Sequence, residues 1–245
     1  MLLQGMVTEL SAVPSGRRDE MFALMDRHYE NMRRSDFDRD LAEKRWVIEL
    51  VESGSGRLCG FSTQRMLDLS VAGRKVRSLF SGDTIVERRH WGSTALALAW
   101  GRLAFAVMDE CRGDELVWIL ISKGFRTYRF MPVYFREFFP RLDAPTPAWA
   151  ANIIRAFGQT AFPDRYDAAT GIVRAPAEGC RLRPELGDAA VERTSDPHVQ
   201  FFARANPGHG QGDELVCVAP LTRANFSRTA ERLIASLQLP SETVQ

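Results

Sequence analysis

Four cysteines and four histidines in 245 residues leave this chain few ways to build a disulfide framework or a metal centre. Cys59, Cys111, Cys180 and Cys217 are dispersed, with no CxxC pair, so neither a zinc ribbon nor a thioredoxin-type redox pair is expected. His28, His90, His198 and His209 share no metal-ligand spacing among themselves or with the cysteines, and no metal is expected. A basic excess is also missing. Lys and Arg number 32 against 31 Asp and Glu, a formal net charge of +1, which argues against nucleic acid as a partner. The most apolar stretch, Thr94 to Met108, is interrupted by Arg102 and falls short of the roughly 20 residues of a membrane span. Met1 to Val13 has no Lys or Arg ahead of its apolar residues, a poor signal peptide. No GxSxG elbow occurs, and the glycine-rich Gly208–Gly212 precedes a strand pattern where a phosphate-binding loop would precede a helix. The expectation is a soluble, cytoplasmic protein with reduced thiols.

Hydrophobic residues at 45% and charged residues at 26% fit a globular chain able to bury a sizeable core. Arg18 to Arg34 carries Met21, Leu24, Met25, His28, Tyr29 and Met32 at three- and four-residue spacings, which predicts a helix with one apolar stripe. The polar stretch 35–45 has room for a second short helix. Trp46–Val51 and Arg57–Ser62 flank a Ser/Gly turn, and Arg65–Val71 and Val76–Val86 flank Ala72–Lys75. These runs predict an antiparallel meander of three or four strands. After Val86 come a basic loop and a helix whose Leu96, Trp100, Leu103 and Val107 make one stripe, with Ala95, Ala99 and Ala106 as a small-residue face. Glu115–Ser122 then reads as a buried strand, so the chain makes a right-handed βαβ crossover to a parallel neighbour. Gly124–Phe139 reads as helix or loop-helix, crowded with aromatics. Past a proline linker, Trp149–Phe157 and His198–Ala205 predict helices, and Asp164–Pro184 reads as irregular. Glu214–Leu221 predicts a strand, and Arg223–Leu237 a final amphipathic helix with Phe226, Ala230, Leu233 and Leu237 on one side.

The loop Arg88–Thr94 carries the sharpest chemical signal. A loop that leaves a strand and opens a helix collects free N–H groups and the positive end of the helix dipole. Gly92 admits a ligand to the main chain, Ser93 and Thr94 offer hydroxyls, and Arg88, Arg89, His90 and Trp91 surround them. Such a site suits a diphosphate; the alternative is a capped helix with solvated arginines. Lys123, Arg126, Arg129, Arg136 and Arg141, against the single acid Glu137, add a second basic cluster. That cluster fits either an anionic ligand or a solvated helix face.

The succession of helix, antiparallel meander, Arg89-x-x-Gly92-x-Thr94 loop, helix, strand and aromatic helix resembles the acyl-CoA N-acyltransferase (GNAT) superfamily over roughly residues 18–140. The resemblance implies a mixed α/β fold, with a central mixed sheet flanked by helices. It divides the chain into a GNAT-like core, 1–144, and a C-terminal α/β extension, 145–245, packed on that core. It implies acyl transfer from a coenzyme A or acyl carrier protein thioester to a small-molecule amine by direct attack. Non-catalytic ligand binding or sensing is the alternative. Residues 88–94 would hold the donor phosphates, with Thr94 where the family has a smaller residue, and Ser122 would stand near the donor. Tyr128, or else Tyr134, would protonate the leaving thiolate, and Asp83 would receive the amine proton through water.

Overall fold

The structure, a computed structural model, describes residues 2–186 and 195–238. Strands β1 (Leu3–Glu9), β3 (Trp46–Glu52), β4 (Leu58–Val71), β5 (Arg74–Val86), β6 (Leu116–Ser122), β7 (Tyr166–Asp167), β8 (Ile172–Val173) and β10 (Glu214–Pro220) form one eight-stranded sheet. Its order is β1-β3-β4-β5-β6-β10-β8-β7, and the short β2 (Tyr29–Glu30) and β9 (Arg181–Leu182) pair separately. The long helices are α1 (Ser15–His28), α3 (Ala95–Glu110) and α6 (Ala148–Ala161). Shorter ones are α2 (Arg34–Ala42), α4 (Phe125–Tyr128), α5 (Phe130–Tyr134), α7 (Pro197–Ala205) and α8 (Arg228–Gln238). Leu237, expected on the apolar side of the last helix, lies outside the residues whose side chains are described.

The buried patterns put helices on both faces. Every residue of β3 is buried, as a strand covered on both sides requires. Met21, Leu24 and Met25 of α1 pack with Phe37 and Leu41 of α2 onto Val47, Phe61 and Ile85. Leu79, Trp118, Leu120 and Cys217 face α3, whereas Phe80, Ile119, Val216 and Val218 face Ile153 and Phe157 of α6. This is the two-residue alternation of a pleated sheet. The small-residue face of α3 works differently from the expectation: Ala106 is exposed. Ala95 and Ala99 instead meet Gly5 of β1, where an added Cβ would lie 2.6 Å from Ala95 O and 2.8 Å from Ala99 Cβ.

Two further differences have clear causes. First, the two strands expected at 57–62 and 65–71 are one, because Ser62, Thr63 and Gln64 are buried polar residues inside β4. Gln64 Nε2 donates to Ser62 Oγ (2.8 Å), Ser81 Oγ donates to Gln64 Oε1 (2.6 Å), and Trp118 Nε1 donates to Ser81 Oγ (2.9 Å). Their polarity marks an internal network and no turn. Second, β1 was not expected at all. It is an edge strand with Met6 and Val7 exposed, so it lacks the alternation of a half-buried strand.

Antiparallel pairing holds throughout the sheet except between β5 and β6, which run parallel from Arg77↔Leu116 to Ser81↔Leu120. The expected βαβ crossover is therefore present. Beyond that ladder the two strands part. At the same level β5 bulges: Ser62 pairs with Thr84 but Gln64 with Ser81, so Gly82 and Asp83 stand opposite Thr63 alone. On the far side β10 pairs with β6 from Leu215↔Ser122 to Pro220↔Val117.

Candidate active site

The parting of β5 and β6 opens a cavity of about 1060 Å³. Asp83 lines it, carried there by the bulge. Burial pushes this carboxyl up to about 7, helped by Asp40, while Lys44 and Lys123 pull it down and Glu214 raises it again. Those neighbours are themselves paired: Lys44 Nζ with Asp40 Oδ1 at 2.7 Å, and Lys123 Nζ with Glu214 Oε1 at 3.7 Å. Lys123 Nζ also sits 5.6 Å from the Tyr29 ring centroid. Burial opposes the charge on Lys123, yet Glu214, Cys180, Tyr29 and Asp83 together hold its ammonium above the usual range. A carboxyl tuned to neutrality in a cleft is suited to accept a proton.

The other wall is the loop from β5 into α3. His90, Trp91, Gly92, Ser93 and Thr94 line the cavity. Gly92 has φ +98° with open space around it, a conformation that glycine adopts without steric cost. The N–H groups of His90, Trp91 and Ser93 donate within the loop, to Glu87 O, Arg88 O and His90 O. Ser93 Oγ accepts from the Ala95 N–H at 3.2 Å. Part of the expected anion nest is thus occupied by the loop's own turns. Arg89 is turned away from the cavity, its guanidinium 3.1 Å from Glu87 and 3.7 Å from Glu52. Arg126 is better placed: its guanidinium lies 3.8 Å from the Trp91 ring centroid, with that of Arg88 5.7 Å from the same ring. Burial, Arg88 and Arg129 all depress the Arg126 pKa, the signature of a positive cluster that an anion would relieve.

Two residues expected in the site lie elsewhere. Tyr128 is fully buried among Phe138, Phe201 and Phe202, and its hydroxyl donates to Pro140 O at 3.2 Å. It does not line the cavity, whereas Tyr134 does. Burial raises the Tyr134 phenol, keeping it protonated and able to donate. Ser122 is buried on the face of β6 that carries Trp118 and Leu120, outside the cavity lining. Lys44, Lys123 and Glu214, which shape the charge around Asp83, were not singled out around it from sequence. They come from three distant segments, and only the fold gathers them.

Against the expectation from spacing, one group of metal-ligand types does assemble among the described residues. Atoms of Glu52, Cys59 and His90 lie within 4.8 Å of one another. Two arginines already serve this cluster. Arg57 donates to Cys59 Sγ at 2.8 Å and reaches Glu52 at 3.5 Å, and Arg89 reaches Glu52 at 3.7 Å, so positive charge is supplied by the chain itself.

No helix among the described residues is long and apolar enough to cross a membrane. No protein-family model matches the chain, and no curated protein matches it in sequence. Solved structures do match in part. A probable N-acyltransferase from Enterococcus faecalis V583 is 11% identical over 56% of this chain and 33% of its own, with a TM-score of 0.43. A GNAT family N-acetyltransferase from Escherichia coli, in complex with CoA, is 12% identical over 50% of this chain and 65% of its own, with a TM-score of 0.37. A Trypanosoma brucei acetyltransferase is 15% identical over 59% of this chain and all of its own, with a TM-score of 0.40. The match thus spans about a third of the Enterococcus protein. With its antiparallel meander, parallel crossover and cleft between the two parting strands, this chain has a mixed α/β fold.

Proposed function

We propose that the chain is an N-acyltransferase that moves an acyl group from a coenzyme A or acyl carrier protein thioester to an amine. One observation carries the reading: the cleft between β5 and β6 has a carboxyl with a pKa of about 7 on the bulge and a protonated phenol lining the same space. The amine nitrogen attacks the thioester carbonyl directly. Its proton leaves through water to Asp83, the C–S bond breaks, and the departing thiolate takes the proton of the Tyr134 hydroxyl. The products are an amide and a free thiol, and no covalent acyl-enzyme is needed. Donor phosphates belong at the α3 N-terminus, within reach of Arg126 and Arg88. Those residues and Arg129 are also the natural contact for an acidic carrier protein. Four free thiols with no disulfide among them fit a cytoplasmic setting.

The test is thiol release from acyl-CoA with a panel of amines, with Asp83→Asn as the control. Turnover that rises with pH through about 7 and drops by roughly 10²–10⁴-fold in the variant is the expected result. Binding without turnover on any amine would favour the second reading, a ligand sensor. The observation on its side is that Arg89 is committed to Glu87 and Glu52.

A further inference from the structure

We infer that the donor carries an acyl group longer than acetyl, with about three carbons of its tail in a separate apolar cavity behind Tyr134; the inference rests on the acyltransferase reading. This cavity lies between α3, β6, α5 and α8. Its walls include Trp100, Trp118, Phe135, Phe226, Leu233 and Ile234. Thr84, Leu96, Phe130 and Tyr134 line both it and the main cleft, so the two spaces meet where β5 and β6 part. Three of the hydroxyls that border it, those of Ser62, Ser81 and Thr84, are engaged with their neighbours. Ser62 bonds Thr84 at 2.8 Å, and Ser81 stands between Gln64 and Trp118, which leaves a lining suited to hydrocarbon.

Gly101 supplies a second observation. It is buried in the middle of α3 and borders this cavity, yet a Cβ built on it would meet nothing within 4 Å. Interiors are close-packed, so open space beside a buried helical position marks room kept for something else. The size of the occupant follows. The cavity holds about 40 Å³, and one water-sized group needs roughly 10–15 Å³ of such space, which leaves room for about three methylene-sized groups. Acetyl would leave the cavity empty, and a long fatty chain would overrun it. Acyl groups of about four to six carbons fit.

Calorimetric titration of the full chain with CoA and its acetyl, butyryl, hexanoyl and palmitoyl thioesters tests this. The matching phosphopantetheine thioesters, run in parallel, separate a CoA donor from a carrier-protein donor. Butyryl and hexanoyl thioesters should bind roughly tenfold or more tighter than acetyl, as each buried methylene adds about fourfold, and palmitoyl should gain nothing over hexanoyl. Gly101→Leu should erase the gain while leaving CoA and acetyl-CoA binding unchanged. Gly101→Ala, which favours the helix, should keep most of it. Equal affinity for acetyl and hexanoyl thioesters would overturn the inference and leave the cleft assignment standing. Failure of every thioester to bind would overturn both. Should Gly101→Leu not fold, the chain-length series on the unaltered protein decides alone.

Discussion

Asp83 is placed where its charge is expensive and useful at once. Its carboxyl titrates at about 7 in the folded protein against an ordinary value of 3.8. The folded state therefore binds the extra proton between those limits. The stability this contributes is fully present below about pH 4 and is lost as pH rises through about 7. Asp83→Asn removes the cost of the buried charge, so melting temperature should rise in the variant at pH 8 and stay level at pH 4, while acyl transfer falls. A variant that loses activity and stability together at pH 8 would deny the proton-acceptor role. The two tyrosines separate in the same way. Tyr128→Phe should cost about 1 kcal/mol of stability, the worth of one hydrogen bond, with turnover intact. Tyr134→Phe should lower turnover by roughly 10²–10⁴-fold and barely move the denaturation midpoint. Nothing in the sequence distinguishes the two: both sit in short aromatic helices, and which one looks into the cleft depends on the turn at Arg129 between them, which has no pattern of its own.

Among elements, β1 and α3 approach each other closely at Gly5. Gly5→Ala would set a methyl group 2.6 Å from a carbonyl oxygen, so the strand and helix must separate, at a cost of about 1–3 kcal/mol read from the urea midpoint. This contact was illegible in the sequence because a solvent-facing edge strand carries no period. What was legible follows from burial. The segment β5, loop, α3 and β6 could be read because β6 is apolar throughout and α3 carries a stripe, and those two signals fix a parallel crossover. The loop's place at a helix start followed from the same reading. Its hydrogen bonds did not, since a residue's type says nothing of whether its N–H is taken by a turn. The single strand β4 looks like two because Ser62, Thr63 and Gln64 resemble a break when Thr84 and Ser81, the partners of Ser62 and Gln64, are not in view.

For the whole molecule, the segment after residue 144 completes the sheet. β10 covers the free edge of β6, and α6 covers Phe80, Val117 and Ile119. Residues 1–144 alone would expose that edge and an apolar face, conditions that favour aggregation. The truncated chain should be insoluble or oligomeric by size-exclusion chromatography. A monomeric, cooperatively melting core would show that the extension is dispensable for folding.

The parallel ladder between β5 and β6 joins five residue pairs, and in the strand order it stands between four strands on one side and four on the other. Mechanically it is the spine of an opened book. A donor lying in the parting would brace the two covers where the spine cannot, adding rungs of its own between edges that otherwise face each other unpaired. Occupancy of the cleft should then be felt at the other end of the ladder, as slower amide hydrogen exchange along Arg77–Leu79 and Leu116–Val117, which line neither cavity.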